Sequence, residues 1–182
     1  MLAALATVWS TAAAFGAGPK TVLRAGAPLA VQCSDMLLGG GPISPARLKI
    51  CEDATDDESL TRSERAKAFV NAGIARLRRD DYGRAISHFL KAERLDPSVP
   101  ELPINLALAY LKAGDADAAI SMLNDIESLG AGYQPVALCT RGLAYGQKGD
   151  RDRALADFRA ALEKHPDDAT AVEALRELST VQ

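Results

Sequence analysis

Three cysteines, two histidines and a few acidic clusters are the residues of this 182-residue chain with chemistry to offer. Cys33, Cys51 and Cys139 show neither Cys-x-x-Cys nor the His–Cys spacing of a zinc site. His88 and His165 stand 77 residues apart, and neither has an acidic or nucleophilic neighbour at a useful spacing. Glu52-Asp53, Asp56-Asp57-Glu58 and Asp167-Asp168 read as solvated caps and loops, because paired carboxylates need a pocket before they can do acid–base work. The run Gly39-Gly40-Gly41-Pro42 lacks the following Lys-Ser/Thr that would make it a phosphate loop. A catalytic site within residues 20–51 would need convergent polar groups that this segment does not supply. The expectation is therefore no catalytic residue, no metal and no cofactor: a chain that is not an enzyme. The cysteines leave a structural role. In an oxidising compartment Cys33 and Cys51 would pair, contributing about 3 kcal/mol in the loop-entropy account. In a reducing one, all three would be free thiols. Cys139 reads as a small apolar residue on a helix.

The elements that carry these residues follow from composition and period. Nearly half the residues are apolar and aromatics are few, which suits close-packed helices. The net charge is −3, and no basic stripe with interleaved aromatics appears, so nucleic acid is not an expected partner. Residues 1–18 are apolar and uncharged, too short for a comfortable membrane span, with small residues at Ala12–Ala14 suited to signal cleavage. No Lys or Arg precedes Lys20, so the basic segment of an ordinary signal is missing. The reading is a signal peptide over 1–18 and a periplasmic or secreted mature chain without a membrane span, with a cytoplasmic chain as the alternative. Residues 19–61 read as an irregular linker, with some extended character near Thr21 and at Leu29–Gln32 and one short helix starting at Pro45 behind Ser44 as N-cap. Thr61-Arg62-Ser63-Glu64 matches a capping box and opens the next helix.

From there the chain repeats itself. Asn71-Ala72-Gly73, Asp81, Ala85-Ile86, Phe89, Ala92 and Pro97 recur at the same internal distances. The second copy is Asn105-Leu106-Ala107, Gly114-Asp115, Ala119-Ile120 and Leu123. The third is Arg141-Gly142, Tyr145, Gly149-Asp150, Ala154-Leu155, Phe158, Ala161 and Pro166. Gly73 to Ala107 is 34 residues and Ala107 to Gly142 is 35. Each copy holds two apolar-periodic segments joined at Arg79-Asp80-Asp81, Ala113-Gly114-Asp115 or Lys148-Gly149-Asp150, where Gly at the end of one helix and Asp at the start of the next are C-cap and N-cap chemistry. Small residues at Gly73, Ala107 and Gly142, and at Ala85, Ala119 and Ala154, let two helices approach closely. Phe89, Leu123 and Phe158 then fill the space between neighbours.

This pattern resembles the tetratricopeptide repeat (TPR). The resemblance covers residues 66–168 and implies an all-α, right-handed solenoid of three helix-turn-helix pairs. The repeats run over about 66–99, 100–134 and 135–168, within a domain of 62–180. Residues 169–179, with Val172, Leu175 and Leu178 on one face, read as the capping helix a solenoid needs for solubility. The departures are Pro103, placed in the first turn of its helix, Ala131 in place of the closing proline, and the loose link Gly130-Ala131-Gly132.

In TPR folds the first helix of each pair lines the concave face, and the fifth and ninth residues of each repeat point into it. Here these are Val70 and Ile74, Ile104 and Leu108, and Cys139 and Leu143: six apolar side chains forming one exposed strip. Members that clamp a C-terminal carboxylate need Lys, Asn and Arg at most of these places. Only Asn105 matches such a position, with Asn71 as its counterpart in copy one, and helix-to-helix hydrogen bonding is the plainer role for both. The resemblance thus implies a protein-interaction module that takes a peptide or protein partner in an apolar groove. The alternative is an assembly subunit whose groove is filled by its own residues 21–31 or by self-association.

Export has a direct optical test. The only tryptophan is Trp9, inside the expected signal. Protein purified from its native host should show tyrosine-like emission, and a tryptophan band from the intact mature chain would refute cleavage.

Overall fold

The computed structural model describes residues 27–180, and among them the regular structure is helical throughout. The nine α-helices are α1 (Leu29–Leu38), α2 (Pro45–Asp53), α3 (Arg62–Leu77), α4 (Tyr82–Leu95), α5 (Leu102–Lys112), α6 (Ala116–Met122), α7 (Gln134–Gln147), α8 (Arg151–Lys164) and α9 (Ala169–Thr180). Residues 1–18, where the signal was expected, lie outside the described residues.

Each repeat is a helix pair turned by one recurring device. After α5, Gly114 adopts φ 89° and donates its N–H to Leu111, while Asp115 donates its N–H back to Tyr110. Gly149 and Asp150 repeat the turn after α7, with φ 78° at the glycine. Asp80 takes the same left-handed conformation after α3, at φ 58°, where a short polar side chain tolerates it. This is a Schellman motif. The aspartate that closes it also begins the next helix: Asp81, Asp115 and Asp150 accept from the N–H groups of Arg84, Ala118 and Arg153. Ser44 caps α2, and Thr61 with Glu64 forms the expected capping box on α3. Pro103 stands at the start of α5.

The pairs close on small-against-large contacts. A Cβ added to Gly73 would lie 2.4 Å from the Phe89 ring, and one at Gly142 would lie 2.9 Å from Phe158. Both rings are fully buried. Copy two makes the contact with Ala107 and Leu123 and is the weaker pair. Its second helix stops at Met122, because Asp125 turns the chain by accepting from Ser128. The freed Leu123 carbonyl is taken by Arg141, 3.0 Å away. Arg141 also makes two 2.8 Å bonds to the buried Asp157, so one side chain ties copy two to both helices of copy three.

The helices form two layers. α3, α5, α7 and α9 each touch the next one along, while α4, α6 and α8 make no comparable contacts with one another. The layer of first helices is therefore the shorter, concave side.

The N-terminal segment corrects the expectation. The described part of residues 19–61 holds two α-helices, not one, and Leu29–Gln32 are helical rather than extended. The breakers in this segment sit at its borders, Pro28 before α1 and Gly39-Gly40-Gly41-Pro42 after it, so the ten residues between are free to coil. α1 touches α3 as a first helix would, and α2 touches it as a second helix would, so together they extend the solenoid by one pair. Cys33 and Cys51 are bonded across this pair, with their Cα atoms 4.9 Å apart. The pair shares a core with Ala72, Ile74 and Ala75 of α3. Arginines of α3 and its following turn hold it in place: Arg76 pairs with Glu52, Arg78 donates to the Leu37 carbonyl and Arg79 to that of Ile43.

The small positions give a sharp test. Gly73→Leu should cost about 3 kcal/mol by overpacking against Phe89, read as a shift in urea midpoint. Gly83→Leu, where an added Cβ meets nothing, should move it by under about 1 kcal/mol. Equal shifts for the two would refute the close-approach account.

Candidate functional site

The concave layer presents three parallel stripes, each spaced four, three and four residues so that its members share one helix face. They are Lys67, Asn71, Ile74 and Arg78 along α3 and at its C-cap; Glu101, Asn105, Leu108 and Lys112 at and along α5; and Val136, Thr140, Leu143 and Gln147 on α7. Ile74, Leu108 and Leu143 are half-buried, as are both asparagines.

The expected strip of six apolar side chains is not what this face exposes. Val70, Ile104 and Cys139 are 2%, 7% and 5% exposed and belong to the core. Val70 joins the cluster that holds Leu102 and Leu106 of α5, and Ile104 joins the one that holds Ala137 and Leu138 of α7. The fifth residue of each repeat is buried because it fills the wedge between one first helix and the next. Only the ninth residues, Ile74, Leu108 and Leu143, remain at the surface of the groove. Ile74 and Leu143 also pack against core clusters, whereas Leu108 joins none of the clusters among the described residues. Of residues 21–31, the expected groove-filling segment, Leu29, Ala30 and Val31 are committed to α1 beside α2 and α3. The portion before residue 27 lies outside the described residues.

Val136 adds a fourth half-buried aliphatic group, and polar groups make up the rest of the face. The side-chain amides of Asn71 and Asn105 make no hydrogen bond to another described residue, so helix-to-helix bonding is not their role. Thr140, the equivalent in copy three, is satisfied locally by the Val136 carbonyl at 2.8 Å. It was not singled out from sequence, though the sixth-residue register that picks Asn71 and Asn105 picks it too. Burial holds the Lys112 ammonium and the Arg78 guanidinium below their usual ranges.

The remaining chemistry-bearing residues stay apart from this face. Burial pushes the Cys139 thiol up to about 12, with Asp168 adding to the effect. His88 lies against Phe69, ring centroids 5.9 Å apart, and burial and then Lys91 hold its imidazole below its ordinary value. His165 is exposed at the end of α8. Among the described residues, no group of three His, Cys, Asp or Glu side chains is placed to hold a metal, and no helix is long and apolar enough to cross a membrane.

The chain belongs to the tetratricopeptide repeat family: family models for this repeat match residues 76–135 and 135–168. No curated protein matches the chain in sequence. Among solved structures, the first TPR domain of human RPAP3 is 28% identical, with a TM-score of 0.60 over 64% of this chain and 91% of that one. The first TPR of Spaghetti (RPAP3), bound to the HSP90 peptide SRMEEVD, is 29% identical, with a TM-score of 0.59 over 64% and 92%. TTC0263, a thermophilic TPR protein of Thermus thermophilus, is 20% identical and shares the fold over 86% of this chain and 83% of its own, with a TM-score of 0.62.

The thiol chemistry can be checked directly. At pH 8, a thiol titrating near 12 holds on the order of a thousandfold less thiolate than an ordinary cysteine. Native protein should therefore resist iodoacetamide at Cys139 and react there fully in guanidinium, with Cys33 and Cys51 recovered as one linked peptide until reductant is added. Rapid alkylation of all three in the native, unreduced chain would overturn both assignments.

Proposed function

We propose that this chain is a non-enzymatic protein-interaction module that holds an extended peptide segment of a partner along the concave face of α3, α5 and α7. The observation that carries the reading is the pair of open amides, Asn71 and Asn105, at equivalent places one repeat apart and flanked by Ile74 and Leu108. An amide offers both a donor and an acceptor, which is what a peptide backbone requires, and the adjacent aliphatic groups take up its side chains. The peptide carried by the Spaghetti (RPAP3) repeat is in keeping with this use of the fold. That peptide ends in acidic residues, whereas the clamp positions in this chain are Val70, Ile74, Ile104, Leu108, Cys139 and Leu143, with Asn105 the single match. The ligand is therefore an internal or apolar segment, not a terminal carboxylate. With four half-buried aliphatic side chains on the face, affinity for a free peptide should be weak, on the order of micromolar, once association costs are met.

The bonded Cys33 and Cys51 support an oxidising compartment, the periplasm or the cell exterior, as the place where this happens. The partner would then be an envelope or secreted protein.

The test is crosslinking and capture from the native envelope fraction with wild-type and Leu108→Glu protein. Leu108 joins no core cluster among the described residues, so the substitution should leave helicity by circular dichroism intact while abolishing capture. Capture that survives with the same partners would move the binding site off this face.

A further inference from the structure

The first repeat carries a second cleft, away from the groove. It has a volume of about 610 Å³ and is lined by Thr55, Asp56, Glu58, Arg65, Phe69, Lys91, Arg94 and Leu95. That volume lies within the range of ligand sites, roughly 300–1,000 Å³. Three elements build it. Arg65 and Phe69 are one turn apart on α3, Lys91, Arg94 and Leu95 share a face of α4, and the turn after α2 supplies the far wall. Thr55 holds that turn by donating to the Glu52 carbonyl at 2.8 Å. Phe69 precedes Asn71 by two residues, about 200° around the helix, so the cleft lies on the opposite side of α3 from the concave stripe.

Its charges are separated and unspent. Arg65, Lys91 and Arg94 lie on the helical wall, Asp56 and Glu58 on the turn, and none of the five is in an ion pair with another described residue. Arg65 Nε is buried and has no hydrogen-bond partner. Among the described residues, the Arg65 guanidinium makes one hydrogen bond, a long one of 3.5 Å to the Asp57 carbonyl. Lys91 Nζ stands 5.5 Å from the centre of the Phe69 ring. A buried N–H left unmatched costs free energy that an incoming acceptor recovers.

We propose that this cleft is a second binding site, for an acidic peptide segment. Carboxylates would sit against Arg65, Lys91 and Arg94, and an apolar side chain between them would rest on Phe69 and Leu95. Asp56 and Glu58 restrict carboxylates to the helical wall and so fix which side of the segment faces it. A bare anion would use the cations and leave the apolar floor uncovered. The site is independent of the concave groove and stands or falls separately from it.

The probe is a blocked hexapeptide of alternating glutamate and leucine, titrated into the isotopically labelled full chain and followed by amide NMR shifts. Saturable shifts are expected at residues 65, 69, 91 and 94. The double substitution Lys91→Gln with Arg94→Gln should weaken binding about tenfold, as two exposed charge contacts predict. Both side chains are solvent-exposed, so the fold should tolerate their loss, and circular dichroism checks that. Leu108→Glu should leave the titration unchanged. The proposal fails if the hexapeptide shifts nothing at millimolar concentration, or if a glutamine–leucine version binds as well. It also fails if inorganic phosphate produces the same shifts at the same concentration, or if the shifts fall at Asn71, Asn105 and Leu108 instead.

Discussion

The structure depends on how closely the two helices of a repeat can approach. Where Gly73 faces Phe89 and Gly142 faces Phe158, the absence of a side chain on one helix admits a whole ring from the other. That contact sets the distance between the layers. With the distance fixed, the next first helix has one place to settle, and the fifth residue of the repeat becomes the filler of the remaining wedge. Copy two shows what a weaker contact entails. Alanine against leucine encloses less, the second helix is only seven residues long, and the polar bridge from Arg141 to Leu123 and Asp157 supplies the coupling that packing does not. A paired, hydrogen-bonded charge is tolerated there because its partners satisfy it on both sides.

Much of this was legible in the residues. The repeat period, the capping aspartates, the capping box, Pro103 and the terminal helix all follow from short-range rules, and short-range rules are what a sequence displays. Two features escaped. The helix at Leu29–Leu38 was hidden by composition: glycine and proline crowd its ends, although its buried Cys33, Met36 and Leu37 keep the i, i+3, i+4 spacing of a helix face. The groove was mis-sized for a different reason. Side-chain type at Val70, Ile104 and Cys139 does not distinguish a residue that lines a groove from one that fills a wedge; only the depth to which the next helix enters does, and that is a long-range property.

The concave face is correspondingly subtler than an apolar trough. Two amides with unspent hydrogen-bonding capacity, spaced by one repeat, sit among four aliphatic side chains. On the proposed reading, the middle of this surface would engage backbone and shape, while the charges of Lys67, Glu101, Arg78 and Lys112 stand at the two ends of its stripes. Selectivity would then rest on the aliphatic contacts, of which Leu108 is the least committed to the core.

The bonded helix pair at the N-terminal end also makes the solenoid asymmetric. In a linear array, each unit is held only by its neighbours, and opening starts at whichever end is cheaper to release. One end is closed by a covalent bond, a shared core with α3 and three arginine anchors. At the other side of the described residues α9 is held more loosely: Val172 is 48% exposed and the Arg151 contact to the Leu178 carbonyl is a tether at the surface. The molecule therefore has a direction. Its helices should come loose from the C-terminal side inward, so amide exchange would be fastest in α9 and slowest around α3, and a ligand in the groove would be held at one firm edge and one yielding one.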